Sequence, residues 1–317
     1  MFRLLAFLAA SVISVSSIAA SFPERPIRVI VPFAAGGGAD VVMRTLAPAF
    51  GNALGQTVVV DNRAGAGGNI GTEVAAHSPP DGYTLLLATA AQTTNNTLTK
   101  GLNWDLRKSF APVTMVVRNQ HLVVVHPSLP VTSIRELIEL AKAQPGRITY
   151  ASFGTGSTAH MAAELFKNMT GVNMLHVPYR GAAPAANAVI AGEVNVLFGD
   201  MAAVLPMVKE RRIKAIAFGS EQRFPALPEI PTVAETVPGF QSGGFLALLA
   251  PAGTPRPVID TLNKAMRQAL DSPGMREQLE SRGGLPDPGT PEQLGAFLQA
   301  DIERWARVIE AAGIRAE

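Results

Sequence analysis

The chain has 317 residues, of which 47% are hydrophobic and 16% are charged, with 29 glycines, 24 prolines and no cysteine. Its 27 basic and 25 acidic residues leave a net charge of +2, so it lacks the strongly basic character typical of nucleic-acid-binding proteins. The absence of cysteine excludes a thiol nucleophile, a thiolate metal site, an iron–sulfur cluster and any disulfide. A chain of this length suggests about two domains, and its low charge is typical of compact proteins.

Residues 1–21 are predicted to be a signal peptide. Arg3 precedes an apolar stretch over residues 4–15, and small residues follow at Ser17, Ala19 and Ser21. This order is typical of a secretory leader, with cleavage expected near residues 20–22. The stretch is too short and too rich in serine for an anchor spanning about 30 Å of hydrocarbon. We therefore expect an exported, periplasmic protein.

Seven short apolar runs predict strands that are buried on both faces, as in a largely parallel sheet covered by helices. These runs are residues 27–32, 57–60, 83–88, 121–126, 194–199, 213–218 and 245–250. Capping-box spacing from Ser133 to Glu136, and from Thr290 to Gln293, predicts the starts of two of the intervening helices. Alternating strands and helices predict a doubly wound α/β fold.

A glycine-rich segment follows the first predicted strand and leads into a helix; we call residues 33–40 loop 1. Its candidate binding residues are Phe33, Ala34, Ala35, Gly36, Gly37, Gly38 and Asp40. Glycines leave backbone N–H groups accessible, and a helix N-terminus adds unpaired N–H groups and the positive end of its dipole. The pattern predicts a site for a carboxylate or phosphate, with an ordinary tight turn as the alternative.

A dinucleotide site is a second interpretation of the same region. The predicted strand 57–60 ends at Asp61, at the distance expected of an acid that binds ribose. Loop 1 lacks the third glycine of the G-x-G-x-x-G fingerprint, however, and the predicted leader directs the chain away from the main nucleotide pools. An oxidoreductase is therefore the least favoured alternative.

A second glycine-rich segment, residues 152–158, matches loop 1 at an offset of 120 residues; we call it loop 2. Phe33 aligns with Phe153 and Gly36 with Gly156, and Gly51 and Gly171 are expected to end the two following helices. The candidate binding residues here are Ser152, Gly154, Thr155, Gly156, Ser157 and Thr158. Two similar lobes would each present a glycine loop at the carboxyl end of a strand, where open α/β sheets bind ligands.

Catalytic patterns are sparse. Ser157 and His160 are three residues apart and could meet on the first turn of a helix, which leaves a secreted serine hydrolase as an alternative function. The sequence contains no G-x-S-x-G elbow, no H-E-x-x-H motif and no histidine pair at ligand spacing. We therefore expect no metal and no cofactor.

Seven motifs in series resemble the Bug family, the extracytoplasmic solute receptors of tripartite tricarboxylate transporters. They are residues 32–40 (PFAAGGGAD), 60–71 (VDNRAGAGGNIG), 81–86 (DGYTLL), 150–157 (YASFGTGS), 176–181 (HVPYRG), 227–232 (LPEIPT) and 249–255 (LAPAGTP). Two departures occur at Ala35 and Ala64, where many members carry proline. The first of these changes puts the detailed shape of loop 1 in doubt.

The resemblance implies a two-lobed periplasmic binding protein of type II, the Venus-flytrap class, with a mixed, mostly parallel sheet in each lobe. Lobe 1 is expected to comprise residues 22–122 and 248–317, and lobe 2 residues 123–247. The hinge strands are expected near residues 121–126 and 245–250.

The resemblance also implies that the protein binds a ligand and catalyses no reaction. Loops 1 and 2 would hold a small carboxylate from opposite lobes, and the receptor would deliver it to the permease subunits of a membrane transporter, acting as a monomer that binds no nucleic acid. Thr89, Tyr179 and Asp200 are candidate contacts to the far end of the ligand. Asp200 equally fits a cap on the helix that begins at Met201.

Overall fold

A computed structural model describes residues 22–179, 181–224 and 227–314. The predicted signal peptide, residues 1–21, lies outside the described residues. Within them, strands and helices alternate along most of the chain and form a two-lobed α/β fold, as predicted. None of the helices in this part of the chain combines the length and the apolar character needed to cross a bilayer.

The strands are β1 (Ile27–Val31), β2 (Val58–Asn62), β3 (Thr84–Thr89), β4 (Phe110–Val125), β5 (Thr149–Ser152), β6 (Leu175–Pro178), β7 (Val196–Asp200), β8 (Lys214–Phe218), β9 (Gly243–Pro251) and β10 (Gly284–Pro286). The helices are α1 (Gly38–Leu54), α2 (Asn69–Ala76), α3 (Ala90–Leu98), α4 (Ile134–Ala143), α5 (Thr158–Thr170), α6 (Ala182–Ala191), α7 (Met201–Lys209), α8 (Arg256–Leu270), α9 (Met275–Glu280) and α10 (Pro291–Ala312). Each of the seven predicted apolar runs overlaps a strand. The run 121–126 is only the second part of the long strand β4.

Lobe 1 contains the strands β2-β1-β3-β9 and the first part of β4, with β10 also paired to β4. Strand β1 pairs in parallel with β2 and β3, whereas β9 pairs antiparallel with both β3 and β4. Strands β1, β2 and β3 therefore form the parallel part of this sheet, and loop 1 follows the middle one of them, β1.

Lobe 2 continues from the second part of β4. From His121 onward β4 pairs antiparallel with β7, and from Leu122 with β8, while β5 pairs in parallel with β6 and β7. Each lobe thus has the predicted mixed sheet. Parallel pairs are less dominant than expected, because β4 and β9 run antiparallel to their neighbours.

Helix α10 passes from one lobe to the other. Its first half contributes Leu294, Leu298 and Ile302 to an apolar core of lobe 1. Its second half contributes Trp305, Val308 and Ile309 to an apolar core of lobe 2. The helix therefore ties the two lobes together in addition to β4.

Local sequence signals explain where several helices begin. The Ser133 hydroxyl accepts a hydrogen bond from the Glu136 backbone N–H at 3.2 Å, at the start of α4. Thr290 and Gln293 form a reciprocal capping box at the start of α10. Both predicted helix starts are confirmed, because these side chains satisfy N–H groups that have no partner inside the helix.

The repeat predicted from the sequence is partly confirmed. In both lobes a glycine loop joins a strand to a helix, β1 to α1 and β5 to α5, and Gly171 ends α5 with a left-handed backbone (φ 69°). The prediction that Gly51 ends α1 is wrong. The helix continues to Leu54, and Gly55 (φ 68°) ends it.

Candidate functional site

The two glycine loops lie at the carboxyl ends of strands in their respective lobes. Because β1 and β3 are parallel, loop 1 and the start of α3 lie at one edge of the lobe 1 sheet. Because β5 and β7 are parallel, loop 2 and Asp200 share an edge of the lobe 2 sheet. Ligands of open α/β sheets bind at such edges.

Helix α3 reaches from loop 1 to loop 2. Near its start, a Cβ placed at Gly68 would lie 2.6 Å from Gln92 Nε2 and 3.2 Å from Phe33 Cζ, so Gln92 is close to loop 1. At its end, a Cβ placed at Gly156 would lie 3.0 Å from Leu98 Cδ2. The helix has nine residues and spans about 13 Å at 1.5 Å per residue, so the structure brings the two loops into one region.

Loop 1 is held by the buried carboxylate of Asp40. Its Oδ2 accepts a hydrogen bond from the Gly36 N–H at 2.8 Å, and its Oδ1 accepts one from Arg44 Nε at 2.9 Å. Burial acts to raise the pKa of the Asp40 carboxyl, but the hydrogen bonds from Gly36 and Arg44 outweigh burial and lower it. Both Asp40 oxygens therefore have partners within the protein, and the side chain shapes the loop.

The glycines of residues 60–71 let this segment pack against the end of β1 and loop 1. A Cβ at Gly71 would lie 2.8 Å from Pro32 Cα, so only glycine lets α2 approach the end of β1 so closely. Asn62 donates from Nδ2 to the Phe33 carbonyl at 3.1 Å. This second motif therefore acts through packing against loop 1.

Loop 2 is held by two histidines. The Gly156 N–H donates to His160 Nδ1 at 3.0 Å, and Ser152 Oγ lies 2.6 Å from His176 Nε2. The Gly154 N–H in turn donates to Ser152 Oγ at 3.2 Å. Ser152 is completely buried, so this predicted binding residue lies beneath the loop.

Backbone N–H groups are left free at both helix starts. Among the described residues, the N–H groups of Gly38, Ala39 and Asp40 in loop 1 find no acceptor, and neither do those of Thr158 and Ala159 after loop 2. Residues 34–38 are exposed. Free N–H groups at the positive end of a helix can bind an anion without a charged side chain.

Thr89 lies at the same edge but its hydroxyl is already engaged. Its Oγ1 accepts from the Ala91 N–H at 3.1 Å and donates to Gln92 Oε1 at 3.0 Å. Gln92 Oε1 also accepts from the Thr89 N–H at 2.7 Å, which completes a capping box on α3. Gln92 itself is fully buried, and its Nε2 has no hydrogen-bond partner among the residues that the structure describes. Gln92, not Thr89, therefore has a hydrogen-bond donor left for a ligand. The only signal for Gln92 in the sequence is its capping-box spacing from Thr89.

Tyr179 and Asp200 lie around loop 2 at the end of β6 and β7. A Cβ at Gly154 would lie 3.7 Å from the Tyr179 carbonyl, so Tyr179 is adjacent to the loop. Asp200 occupies the N-cap position of α7 without forming a side-chain capping bond. Its carboxylate is 42% exposed and lies 3.3 Å from the buried His121 Nε2.

The alternative catalytic pair is not assembled. Ser157 Oγ accepts from the His160 backbone N–H at 3.4 Å and caps α5, while the His160 ring accepts from Gly156. Because His160 Nδ1 accepts from the backbone, the other nitrogen of the neutral ring carries the proton and cannot accept one from a serine hydroxyl. Nothing in the site supports the hydrolase interpretation.

The dinucleotide interpretation finds no support either. Asp61 is paired with Arg63 Nε at 3.0 Å and with Arg28 at 3.5 Å, so its carboxylate is already compensated. Among the described residues, no group of three or more His, Asp or Glu side chains is arranged to hold a metal ion.

Comparison with known proteins gives a family match over residues 42–314, to the family described as "Tripartite tricarboxylate transporter family receptor". The chain is similar to protein BugT of Bordetella pertussis, with 37% identity over 99% of each chain.

Two solved structures combine a similar fold with a bound ligand. One is an R. palustris protein with adipate, at 35% identity and a TM-score of 0.78, covering 93% of this chain and 99% of that one. The other is MatC from Rhodopseudomonas palustris with bound malate, at 31% identity and a TM-score of 0.74, covering 91% and 100%. Both ligands are small dicarboxylates.

Proposed function

The chain belongs to the receptor family of the tripartite tricarboxylate transporters, and from this premise we propose that it binds a small dicarboxylate between loops 1 and 2. The observation that carries the proposal is the pair of helix starts with free N–H groups, one in each lobe. One carboxylate of the ligand would accept hydrogen bonds from both lobes and hold them closed.

The dicarboxylate class rests on the two liganded relatives. Adipate and malate each carry two carboxylates on a short chain. With one carboxylate at the loops, the rest of the ligand would extend toward Tyr179, and its second carboxylate would lie away from Asp200. The exposed Asp200 carboxylate would repel that second carboxylate at close range, and would favour a ligand that turns a hydroxyl or amine toward it.

The remaining assignments follow from the family and the sequence. We place the protein in the periplasm, after removal of residues 1–21, as a monomer that passes its ligand to a membrane permease and catalyses no reaction. We place the hinge where β4 changes lobes between Gln120 and His121, and where the chain returns at Ser242 before β9. These crossings would move the expected lobe boundaries from 122/123 and 247/248 to 120/121 and 242/243, which makes the lobes residues 22–120 with 243–317, and residues 121–242.

A thermal-shift experiment tests the function. Residues 22–317, refolded from denaturant to remove any ligand carried from the host, are melted with adipate, with malate and with the uncharged diamide of adipate. A dicarboxylate at about 100 times its dissociation constant should stabilise the protein by about 2.7 kcal/mol. The diamide should give no shift, because it lacks the anionic oxygens.

Calorimetric titration with the same compounds provides the decisive control. Binding of the diamide as tight as that of adipate would contradict recognition of carboxylates by the loops. The absence of any shift with a panel of C4 to C6 dicarboxylates at millimolar concentration would reject the proposed ligand class.

A further inference from the structure

A stack of three aromatic rings lies directly beneath loop 2. His160 and His176 are parallel within 9°, with their ring centroids 4.0 Å apart, and His176 stacks on Tyr150 at 4.9 Å. His160 is 6% exposed and Tyr150 is completely buried. The stack joins the first turn of α5 to strands β5 and β6.

The stack is bonded to the loop through ring nitrogens of both histidines. A backbone N–H can only donate, so the Gly156 N–H requires an unprotonated Nδ1 on His160. That bond fixes His160 as the neutral tautomer with its proton on Nε2. On the other side, His176 Nε2 holds Ser152, and Ser152 accepts from the Gly154 N–H.

The two glycines held in this way have backbones that few other residues adopt. Gly154 has φ 121° and Gly156 has φ 78°. With the Gly154 and Gly156 N–H groups bonded inward, the N–H groups without an acceptor in this part of the described chain include those of Thr155, Thr158 and Ala159. The inward bonds therefore decide which N–H groups loop 2 offers to a ligand.

We propose that His160 is a positioning residue, whose neutral imidazole holds Gly156 inward and thereby sets loop 2 in the shape that binds the ligand. This inference rests on the proposed function, since it concerns the loop that the ligand contacts. His176 supports the same shape through its stacking and through Ser152. Protonation of His160 would remove the acceptor and release the loop.

The surroundings favour the neutral ring. Burial, together with the neighbouring His176, lowers the pKa of His160 to about 4, although Glu164 acts in the opposite direction. Glu164 is itself paired with Lys167 at 2.6 Å and accepts from the Tyr150 hydroxyl, which offsets its charge. Helix α10, which also packs on α5, adds the apolar Trp305 to the shared core.

The sign of the pH dependence follows from this lowered pKa. The folded state binds the proton on His160 less readily than the unfolded state does. The contribution of neutral His160 to the free energy of unfolding is therefore fully present above pH 6.5 and is lost as the pH falls toward 4. A carboxylate ligand also titrates near this range, so a variant that cannot titrate is needed for comparison.

The substitutions His160→Asn and His160→Phe provide the test. Asparagine places Oδ1 where histidine has Nδ1 and can accept from Gly156 without titrating, whereas phenylalanine fills the space but accepts nothing. We expect His160→Asn to keep the affinity for adipate or malate within about threefold, and His160→Phe to lose roughly tenfold, the value of one hydrogen bond. His77→Asn, at an exposed histidine far from the loop, is the matched control.

The dependence on pH adds a readout that simple packing would not change. Between pH 6.5 and 4 the melting temperature of the wild type should fall more steeply than that of His160→Asn. Equal affinities of the Asn and Phe variants, or equal pH slopes for the wild type and the Asn variant, would overturn the inference.

A measurement without ligand separates this inference from the proposed function. In the unliganded wild type, ¹⁵N spectra of the imidazoles should show His160 with an unprotonated Nδ1, and the Gly156 amide should shift as His160 titrates. A Gly156 amide chemical shift that does not change as His160 titrates would overturn the inference even if carboxylates bind. If the amide follows His160 but no carboxylate binds, the proposed function alone fails.

Discussion

Gly36 and Gly38 look equivalent in the sequence but have different roles in loop 1. Gly36 has φ 81°, and its N–H is bonded to Asp40, so its conformation requires glycine. Gly38 is the first residue of α1, with no positive φ and a free N–H. Substitutions at Gly36 therefore test the shape of the loop, and substitutions at Gly38 test its ability to bind an anion.

Gly38→Val is expected to weaken ligand binding strongly while leaving the fold intact. A Cβ at Gly38 meets no atom within 4 Å, so the valine side chain would occupy the space outside the free N–H groups without strain. The affinity for adipate or malate in calorimetric titration should fall by more than about tenfold, with the free energy of unfolding within about 0.5 kcal/mol of the wild type. Wild-type affinity in this variant would show that the α1 start does not contact the ligand.

The comparison variant Gly36→Val should behave differently. A β-branched side chain at a left-handed backbone position costs about 1–2 kcal/mol, so this variant should lose stability as well as affinity. The contrast between the two valines distinguishes a blocked site from a distorted loop.

At the scale of helices and strands, the sequence predicted the elements that carry local signals. The capping residues Ser133 and Thr290 marked helix starts, and the glycine loops marked the ends of β1 and β5. The internal repeat also identified both loops as candidate binding sites, although it predicted the end of α1 at Gly51 instead of Leu54.

The sequence could not predict how β4 and α10 connect the lobes. Strand β4 changes partners between Gln120 and His121 without a break in the chain, so it read as a short strand beginning at residue 121. Likewise, the apolar stripe of α10 is continuous, and nothing in its period shows that its two halves face different cores. The support of loop 2 by His176 depends on pairing between β5 and β6, which the spacing along the chain does not reveal.

The second half of α10 gives a prediction at the scale of an element. Trp305 is 3% exposed in the lobe 2 core, and Trp305→Ala should cost about 3–5 kcal/mol through the cavity it leaves. Urea denaturation followed by far-UV circular dichroism measures the loss. Arg307→Ala, at an exposed position of the same helix, should stay within about 0.5 kcal/mol of the wild type. Equal midpoints for the two variants would contradict the packing of α10 on lobe 2.

In the whole molecule, the region between the lobes combines continuous backbone pairing with unsatisfied polar side chains. Among the described residues, His121 Nδ1, Gln120 Oε1 and Ser242 Oγ are buried without a hydrogen-bond partner, whereas His121 Nε2 lies 3.3 Å from Asp200 Oδ1. Leaving such groups unpaired costs about 1–3 kcal/mol each. The lobes are therefore joined at the crossing mainly by the backbone of β4 and by apolar contacts, which permit twisting more readily than a network of side-chain hydrogen bonds would.

This geometry predicts a measurable closure when the ligand binds. The chain contains no cysteine, so cysteines introduced at Val59 and Leu175, which are 47% and 56% exposed, can be labelled selectively. These residues lie on β2 and β6, the two ends of the strand order that runs through both lobes, where a rotation about the crossing moves the labels most. Saturating adipate or malate should shift the distance distribution between the labels in energy-transfer measurements. At a ligand concentration near the wild-type dissociation constant, the same pair in a Gly38→Val background should show little shift, because this variant binds the ligand much more weakly. A distribution unchanged by a ligand that binds the labelled protein would contradict closure of the lobes.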